Sequence, residues 1–195
     1  MDDADLIQRA AEGDVLAFER LIASRRERVF WIAHHLIGDV ELSRDVTQEV
    51  FLRLFRVLPR FRKGGRFDAW LYRITVHLAL DMWRRERRHR RSAPLEEAGE
   101  LPARAGGAME STRRREVRRV FDTLAQSLGR KQKAAFVLRE IEGLTTAEVA
   151  EILETTESTI RNHILQARRI LQEGLRSRFP EYSPKPPSQD PEGKG

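Results

Sequence analysis

The chain has 195 residues, enough for one ordinary domain or two small ones. Its 36 Lys and Arg against 30 Asp and Glu give a net charge of +6, and most of the cations are arginine, whose fixed donor fork suits phosphate, so an acidic polymer is the first partner to consider. Zero cysteine excludes disulfides, thiolate metal sites and a cysteine nucleophile. No apolar run approaches the ~18 residues of a membrane span, and the acidic start Met1-Asp2-Asp3 lacks a signal-peptide pattern. Membrane insertion is therefore not expected, and a cytoplasmic setting is.

Residues 1–91 hold 19 basic and 14 acidic side chains, and every apolar run in them has helical spacing, which predicts a first all-α module. Phe18, Leu21, Ile22, Phe30, Ala33 and Ile37 form one inward stripe; Val46, Val50, Leu54 and Leu58, with Phe51 and Phe55 beside them, form a second that Pro59 ends. Asp45, Gln48, Glu49 and Arg53 project from the other side of this second helix, as a solvated face or a docking surface. A loop through Phe61-Arg62-Lys63-Gly64-Gly65-Arg66 follows, where paired glycines break the helical pattern. The next helix is expected to start near Asp68, as its cap, to carry Trp70, Leu71, Ile74, Leu78 and Met82 inward, and to end in arginines. Phe61, Phe67, Trp70, Tyr72 and Trp83 interleave with Arg62, Lys63, Arg66, Arg73, Arg84 and Arg85, a mixture that suits single-stranded DNA, in which rings stack on unpaired bases and cations follow the backbone. Some of these rings must instead be core, Trp70 first among them.

Residues 92–112 contain four glutamates and one arginine with few large apolar groups, and are read as a flexible acidic linker. Residues 113–179 hold 14 basic and 9 acidic side chains and form a second helical module; residues 180–195, with five prolines, are expected to be a disordered tail. Within the second module Thr145-Thr146-Ala147-Glu148 has the form of a capping box opening a short helix through Ile152. Leu153-Glu154-Thr155 makes a turn, and Thr156 caps a longer helix with Ile160, Ile164, Ala167 and Leu171 inward and Glu157, Ser158, Arg161, Asn162, Leu165 and Gln166 outward. This is the layout of a helix-turn-helix, and the outward side chains suit base edges: Arg for guanine, Asn or Gln for adenine, Leu for a thymine methyl. A helical hairpin with a solvated polar face has the same spacing.

Residues 134–171, from Ala134-Ala135-Phe136-Val137-Leu138-Arg139-Glu140 through Gly143-Leu144-Thr145-Thr146-Ala147-Glu148 to Ser158-Thr159-Ile160-Arg161 and Ala167-Arg168-Arg169, resemble region 4 of the sigma-70 family. Asp45-Val46-Thr47-Gln48-Glu49-Val50-Phe51-Leu52-Arg53-Leu54 resembles region 2.2, Phe67-Asp68-Ala69-Trp70-Leu71-Tyr72-Arg73-Ile74 region 2.3, and Leu78-Ala79-Leu80-Asp81-Met82-Trp83-Arg84-Arg85 region 2.4. A layout of regions 2 and 4 alone is similar to the extracytoplasmic-function (ECF) group. The resemblance implies a factor that carries core RNA polymerase to promoter DNA, with Asp45, Gln48, Glu49 and Arg53 on the polymerase. It puts Arg62, Lys63, Gly64, Gly65, Arg66, Tyr72, Arg73, His77, Arg84, Arg85 and Arg88 on the minus-10 element, and Thr145, Thr146, Glu157, Ser158, Arg161, Asn162, Leu165 and Gln166 on the minus-35 element. An anti-sigma protein is a further implied partner, and the linker would run along the polymerase channel that nascent RNA later occupies. The chain departs from the pattern at His77, where Asn is usual, Gly129 for Pro, Glu154 for Gly and Gln166 for Arg.

No catalytic residue, cofactor or metal is expected. His34, His35, His77, His89 and His163 lack the paired spacing of metal ligands, and no Walker loop occurs. Two other classes compete: a plain helix-turn-helix regulator, which leaves the 45–85 pattern unexplained, and a recombinase-like enzyme, which needs a nucleophile or carboxylate cluster not found here.

Overall fold

The structure, a computed structural model, describes residues 3–61, 65–92 and 112–182. Among them no strand occurs, and the architecture is all-α as the periodicity requires. Of the expected segments, Arg62, Lys63 and Gly64 and nearly all of the linker and tail lie outside the described residues.

The first module is α1 (Asp3–Ala11), α2 (Val15–Ile37), α3 (Val40–Val57) and α4 (Phe67–Ser92). Asp14 caps α2 by accepting from the Ala17 N–H at 3.0 Å, and Asp39 caps α3 by accepting from Leu42 at 2.9 Å. Gly38 ends α2 at φ 81°, a left-handed conformation that an L side chain resists. Helices α2, α3 and α4 pack mutually around Leu21, Val29, Ile32, Val46, Val50, Leu54, Leu71 and Val76, all of them buried. Each such side chain contributes roughly 1.5–3 kcal/mol by leaving water. Phe55 departs from expectation: it is 59% exposed, because its position on α3 falls one step past the buried row and reaches only the edge of Phe18, 5.2 Å between ring centres. Asp68 is not the cap of α4. It lies in the first turn and instead accepts from Arg25 at 3.3 Å.

The second module is α5 (Thr112–Ala125), α6 (Arg130–Phe136) continued by a π-turn over Val137–Ile141, α7 (Thr146–Ile152) and α8 (Glu157–Arg178). Ala134, Ala135, Val149, Ile152, Ile160 and Ile164 are buried between α6, α7 and α8, while Ala125, Leu128 and Ala167 join α5 to α8. At the start of the expected tail Pro180–Tyr182 form a 3₁₀ turn, and the Tyr182 hydroxyl donates to the Glu116 carboxylate on α5.

Periodicity did not show how the modules meet. Helix α4 packs against α7, α2 packs against the π-turn, and one apolar cluster runs from Leu21 and Val29 of the first module to Val137, Leu138 and Ile152 of the second.

Candidate nucleic-acid and polymerase interface

Three exposed faces and the contact between the modules hold the expected site residues that the structure describes. On α3, Val46 and Val50 face the core, which by helical geometry turns Asp45, Gln48 and Arg53 outward; all three are exposed and Glu49 is half-buried. Sequence reasoning missed the apolar part of this face. Leu52 is 47% exposed beside Arg53, and Phe55 follows a turn later. Their signal was present, since both lie off the Val46–Val50–Leu54 row.

On α4 the polar positions Arg73, His77, Arg84 and Arg88 recur at spacings of four, seven and four, so they lie along one side of the helix, with Arg85 adjacent. His77, Arg84, Arg85 and Arg88 are exposed; Arg84 pairs with Asp81 one turn back at 3.2 Å. The aromatic platforms expected here are largely structural. Phe61, Phe67 and Trp70 pack on one another with ring centres 5.1–6.2 Å apart, closing the foot of α4. Tyr72 is 2% exposed and lies beneath the Arg28 guanidinium, 5.1 Å from its ring centre. Burial pushes its phenol up to about 12, with Asp68 adding to the shift and Arg28 opposing it. Tyr72 does not face solvent in this conformation.

The helix-turn-helix forms as its caps require. The Thr145 hydroxyl accepts from the Glu148 N–H at 3.2 Å while the Glu148 carboxylate accepts from the Thr145 N–H at 2.8 Å, and Thr156 accepts from the Thr159 N–H at 3.3 Å to start α8. Glu154 holds the turn at φ 50°, a left-handed conformation at the position where the family pattern usually has Gly, at a cost of about 1 kcal/mol for a residue with a Cβ. Glu157, Ser158, Arg161, Asn162, Leu165 and Gln166 are all exposed on α8. Arg161 is aimed by Glu157 at 3.1 Å, and Gln166 accepts from Gln132 at 2.7 Å and donates to Asn162 at 3.3 Å. Leu165, 68% exposed, is the one large apolar group on that face. Thr145 and Thr146 sit at the start of α7, and the Thr145 hydroxyl is committed to its cap.

The fourth group lies at the contact between the modules, where Arg66 and Arg73 remain about half exposed. Arg66, just before α4, pairs with Glu148 and, at 3.3 Å, with Glu151; Arg73 reaches Glu154 at 3.4 Å. Arg28 of α2 donates to the Glu142 carbonyl at 2.8 Å and to its carboxylate at 3.2 Å, with His35 Nδ1 3.9 Å from the same carboxylate. Burial pushes the Glu142 carboxyl up, and Arg28 opposes that. A cleft of about 450 Å³ opens beside these contacts, lined in part by Asp3, Arg66, Asp68 and Tyr72. Among the described residues no group of three or more His, Asp or Glu could hold a metal ion, and no helix is long and apolar enough to cross a membrane.

An arginine-lined helical bundle coupled to a capped helix-turn-helix defines a two-module protein of the helix-turn-helix DNA-binding class. Residues 21–89 match the family model for sigma-70 region 2 and residues 118–171 that for sigma-70 region 4. The chain belongs to the sigma-70 family of transcription initiation factors, in its ECF group. It is 33% identical over 168 residues to the ECF RNA polymerase sigma factor SigE of Mycolicibacterium smegmatis, a match covering 85% of this chain and 65% of that protein. It is 29% identical over 180 residues to the ECF RNA polymerase sigma-E factor of Escherichia coli K12, covering 88% and 93% respectively. Its fold is similar to that of CnrH in complex with the cytosolic domain of CnrY (TM-score 0.70, 22% identity, 90% of this chain and 98% of that one). It is also similar to the sigma factor RpoE in complex with the anti-sigma factor NepR from Bartonella quintana (TM-score 0.63, 21% identity, 84% and 99%).

Proposed function

We propose that this chain binds core RNA polymerase and directs initiation at promoters carrying minus-10 and minus-35 elements. The observation that carries the reading is the pairing, in one chain, of the mixed polar and apolar face of α3 with the base-reading face of α8, in which Leu165 stands exposed among Arg161, Asn162 and Gln166.

In this reading residues 1–91 are the polymerase-docking and minus-10 module, residues 92–112 a linker, residues 113–179 the minus-35 module and residues 180–195 a tail. Asp45, Gln48, Glu49 and Arg53 set the specificity and rate of docking by charge complementarity, and the apolar Leu52 and Phe55 supply the contact area that holds the complex. Gly65 and Arg66, both exposed, take an extruded base together with Arg62, Lys63 and Gly64, which precede them in sequence. Arg73 and His77 extend that site along α4, Tyr72 joins it once uncovered, and Arg84, Arg85 and Arg88 follow duplex phosphates upstream. On α8, Arg161, Asn162, Leu165 and Gln166 meet base edges while Thr145, Thr146, Glu157 and Ser158 fix its entry into the groove. Melting is driven by differential affinity for the opened strand. The chain performs no catalysis of its own and needs no cofactor. An anti-sigma protein is a further partner, as for the RpoE–NepR complex, and the working place is the cytoplasm.

Run-off transcription with purified core polymerase and a promoter library tests this. Initiation at a shared motif pair, dependent on this chain, is expected; duplex binding without any effect on initiation would reduce the protein to a simple regulator.

A further inference from the structure

Gln132 belongs to none of the expected site sets, yet it connects α6 to the outward face of α8. Its side-chain oxygen accepts from the Gly129 N–H at 2.9 Å, and its NH2 donates to the Gln166 oxygen at 2.7 Å. Gln166 in turn donates to the Asn162 oxygen, one turn back on α8, at 3.3 Å. This relay has one direction. A backbone N–H can only donate, so the Gln132 oxygen must face Gly129, its NH2 must face Gln166, and each later amide is turned by the one before it. Gln132 is half-buried, whereas Gln166 and Asn162 are exposed. The relay therefore starts from a fixed backbone group and ends in solvent.

Two departures from the family pattern stand on this relay. Proline, usual in place of Gly129, has no N–H to start it, and arginine, usual in place of Gln166, has no acceptor to receive the Gln132 NH2. Gly129 also leaves room, since a Cβ there would lie 3.2 Å from the Gln132 oxygen. Both exposed amides have their oxygen engaged by a donor, while among the described residues nothing accepts the Asn162 NH2 or the second N–H of Gln166. Bidentate reading of adenine needs an amide oxygen and an amide N–H side by side, whereas guanine N7 and O6 and thymine O4 need only donors.

We propose that Gln132 is a positioning residue for base reading: through Gln166 it turns the free N–H groups of Asn162 and Gln166 toward DNA, so that this part of α8 selects guanine or thymine over adenine or cytosine. This reverses the expectation of adenine drawn from the amide side chains alone. The proposal rests on the reading of α8 as the helix that meets base edges.

The full chain, assembled with core polymerase, is mixed with promoter-length duplexes of random sequence, and the bound fraction is sequenced. The base pair read by the amides is the one whose preference disappears in Asn162→Ala with Gln166→Ala. At that pair the parent is expected to favour guanine or thymine about tenfold. Gln132→Glu is the decisive variant. Its carboxylate still accepts from the Gly129 N–H, so a role limited to capping α6 would leave the profile unchanged, but it cannot donate to Gln166. Both amides then turn over and present oxygen, and the preference at that pair is expected to shift about tenfold toward adenine or cytosine. A uniform loss of affinity from the added charge cancels in the preference. Gly129→Pro suits a backbone already at φ −62° and removes the donor, so it should weaken the preference about threefold without reversing it. An unchanged preference at that pair in either variant, or a parent that favours adenine there, overturns the proposal. If Asn162→Ala with Gln166→Ala alters no position, the amides do not meet base edges and that part of the α8 reading falls as well; if it alters one while Gln132→Glu alters none, only the relay is wrong.

Discussion

Thr145 and Glu148 satisfy each other across the first turn of α7: the Thr145 hydroxyl accepts from the Glu148 backbone at 3.2 Å and the Glu148 carboxylate accepts from the Thr145 backbone at 2.8 Å. Because Glu148 also holds Arg66, one carboxylate caps the helix-turn-helix and ties it to α4.

This pair predicts an acid limb. The Thr145 N–H, then the Thr145 hydroxyl, and more weakly Arg66, hold the Glu148 carboxyl below its ordinary 4.5. A depressed folded-state value means that the contribution is fully present above the unfolded value, near 4.5, and disappears as pH falls through the folded one. Glu148→Gln keeps the box hydrogen bond without a titrating group, so its urea midpoint should fall less between pH 5 and pH 3 than the parent's; parallel losses would sink the assignment. Thr145→Ala should cost about 1 kcal/mol at neutral pH.

Two neighbours on α3 should behave oppositely. Leu54 is fully buried, and Leu54→Ala is expected to cost about 2–5 kcal/mol of stability. Leu52→Ala, at an exposed position, should move stability by no more than about 0.5 kcal/mol yet weaken core polymerase binding. Gln48→Lys with Glu49→Lys should do the same with the thermal melt nearly unchanged. Fluorescence anisotropy against purified core reads both, and undiminished affinity in either variant removes that residue from the docking face.

Arg161→Ala should cost about 1–3 kcal/mol at the specific minus-35 sequence and relax discrimination at one base pair, if the guanidinium that Glu157 now orients bridges a guanine. Competition binding against a panel of single-base variants decides it. A loss uniform across the panel would make Arg161 a phosphate clamp.

Glu154→Gly bears on the turn. Relief of the left-handed backbone at φ 50° favours glycine by about 1 kcal/mol, while the exposed pair with Arg73 contributes little. Chemical denaturation should show the variant equal to or up to about 1 kcal/mol more stable than the parent. A clear destabilisation would mean that the Arg73–Glu154 contact outweighs the strain.

Local chemistry made much of this protein legible from its residues alone. The Thr145-x-x-Glu148 box, the Thr156 cap and the helical spacing of Val46, Val50 and Leu54 each depend on neighbours within a turn or two, so sequence by itself determined the all-α class, the helix-turn-helix and the outward set on α8. Long-range placement decided the rest. The exposure of Phe55 depends on where α2 ends its cover of α3, the burial of Tyr72 on Arg28 from another helix, and the capture of Asp68 on Arg25, 43 residues away in the chain. The meeting of Arg66 and Arg73 with Glu148, Glu151 and Glu154 joins positions 81–85 residues apart. In sequence Arg66 and Arg73 read as strand-contacting cations, Glu148 as a capping partner and Glu154 as a turn residue, with nothing to pair them, because a charge pattern fixes which groups can attract one another but not which surfaces come together; that was decided by the apolar contact of α7 with α4.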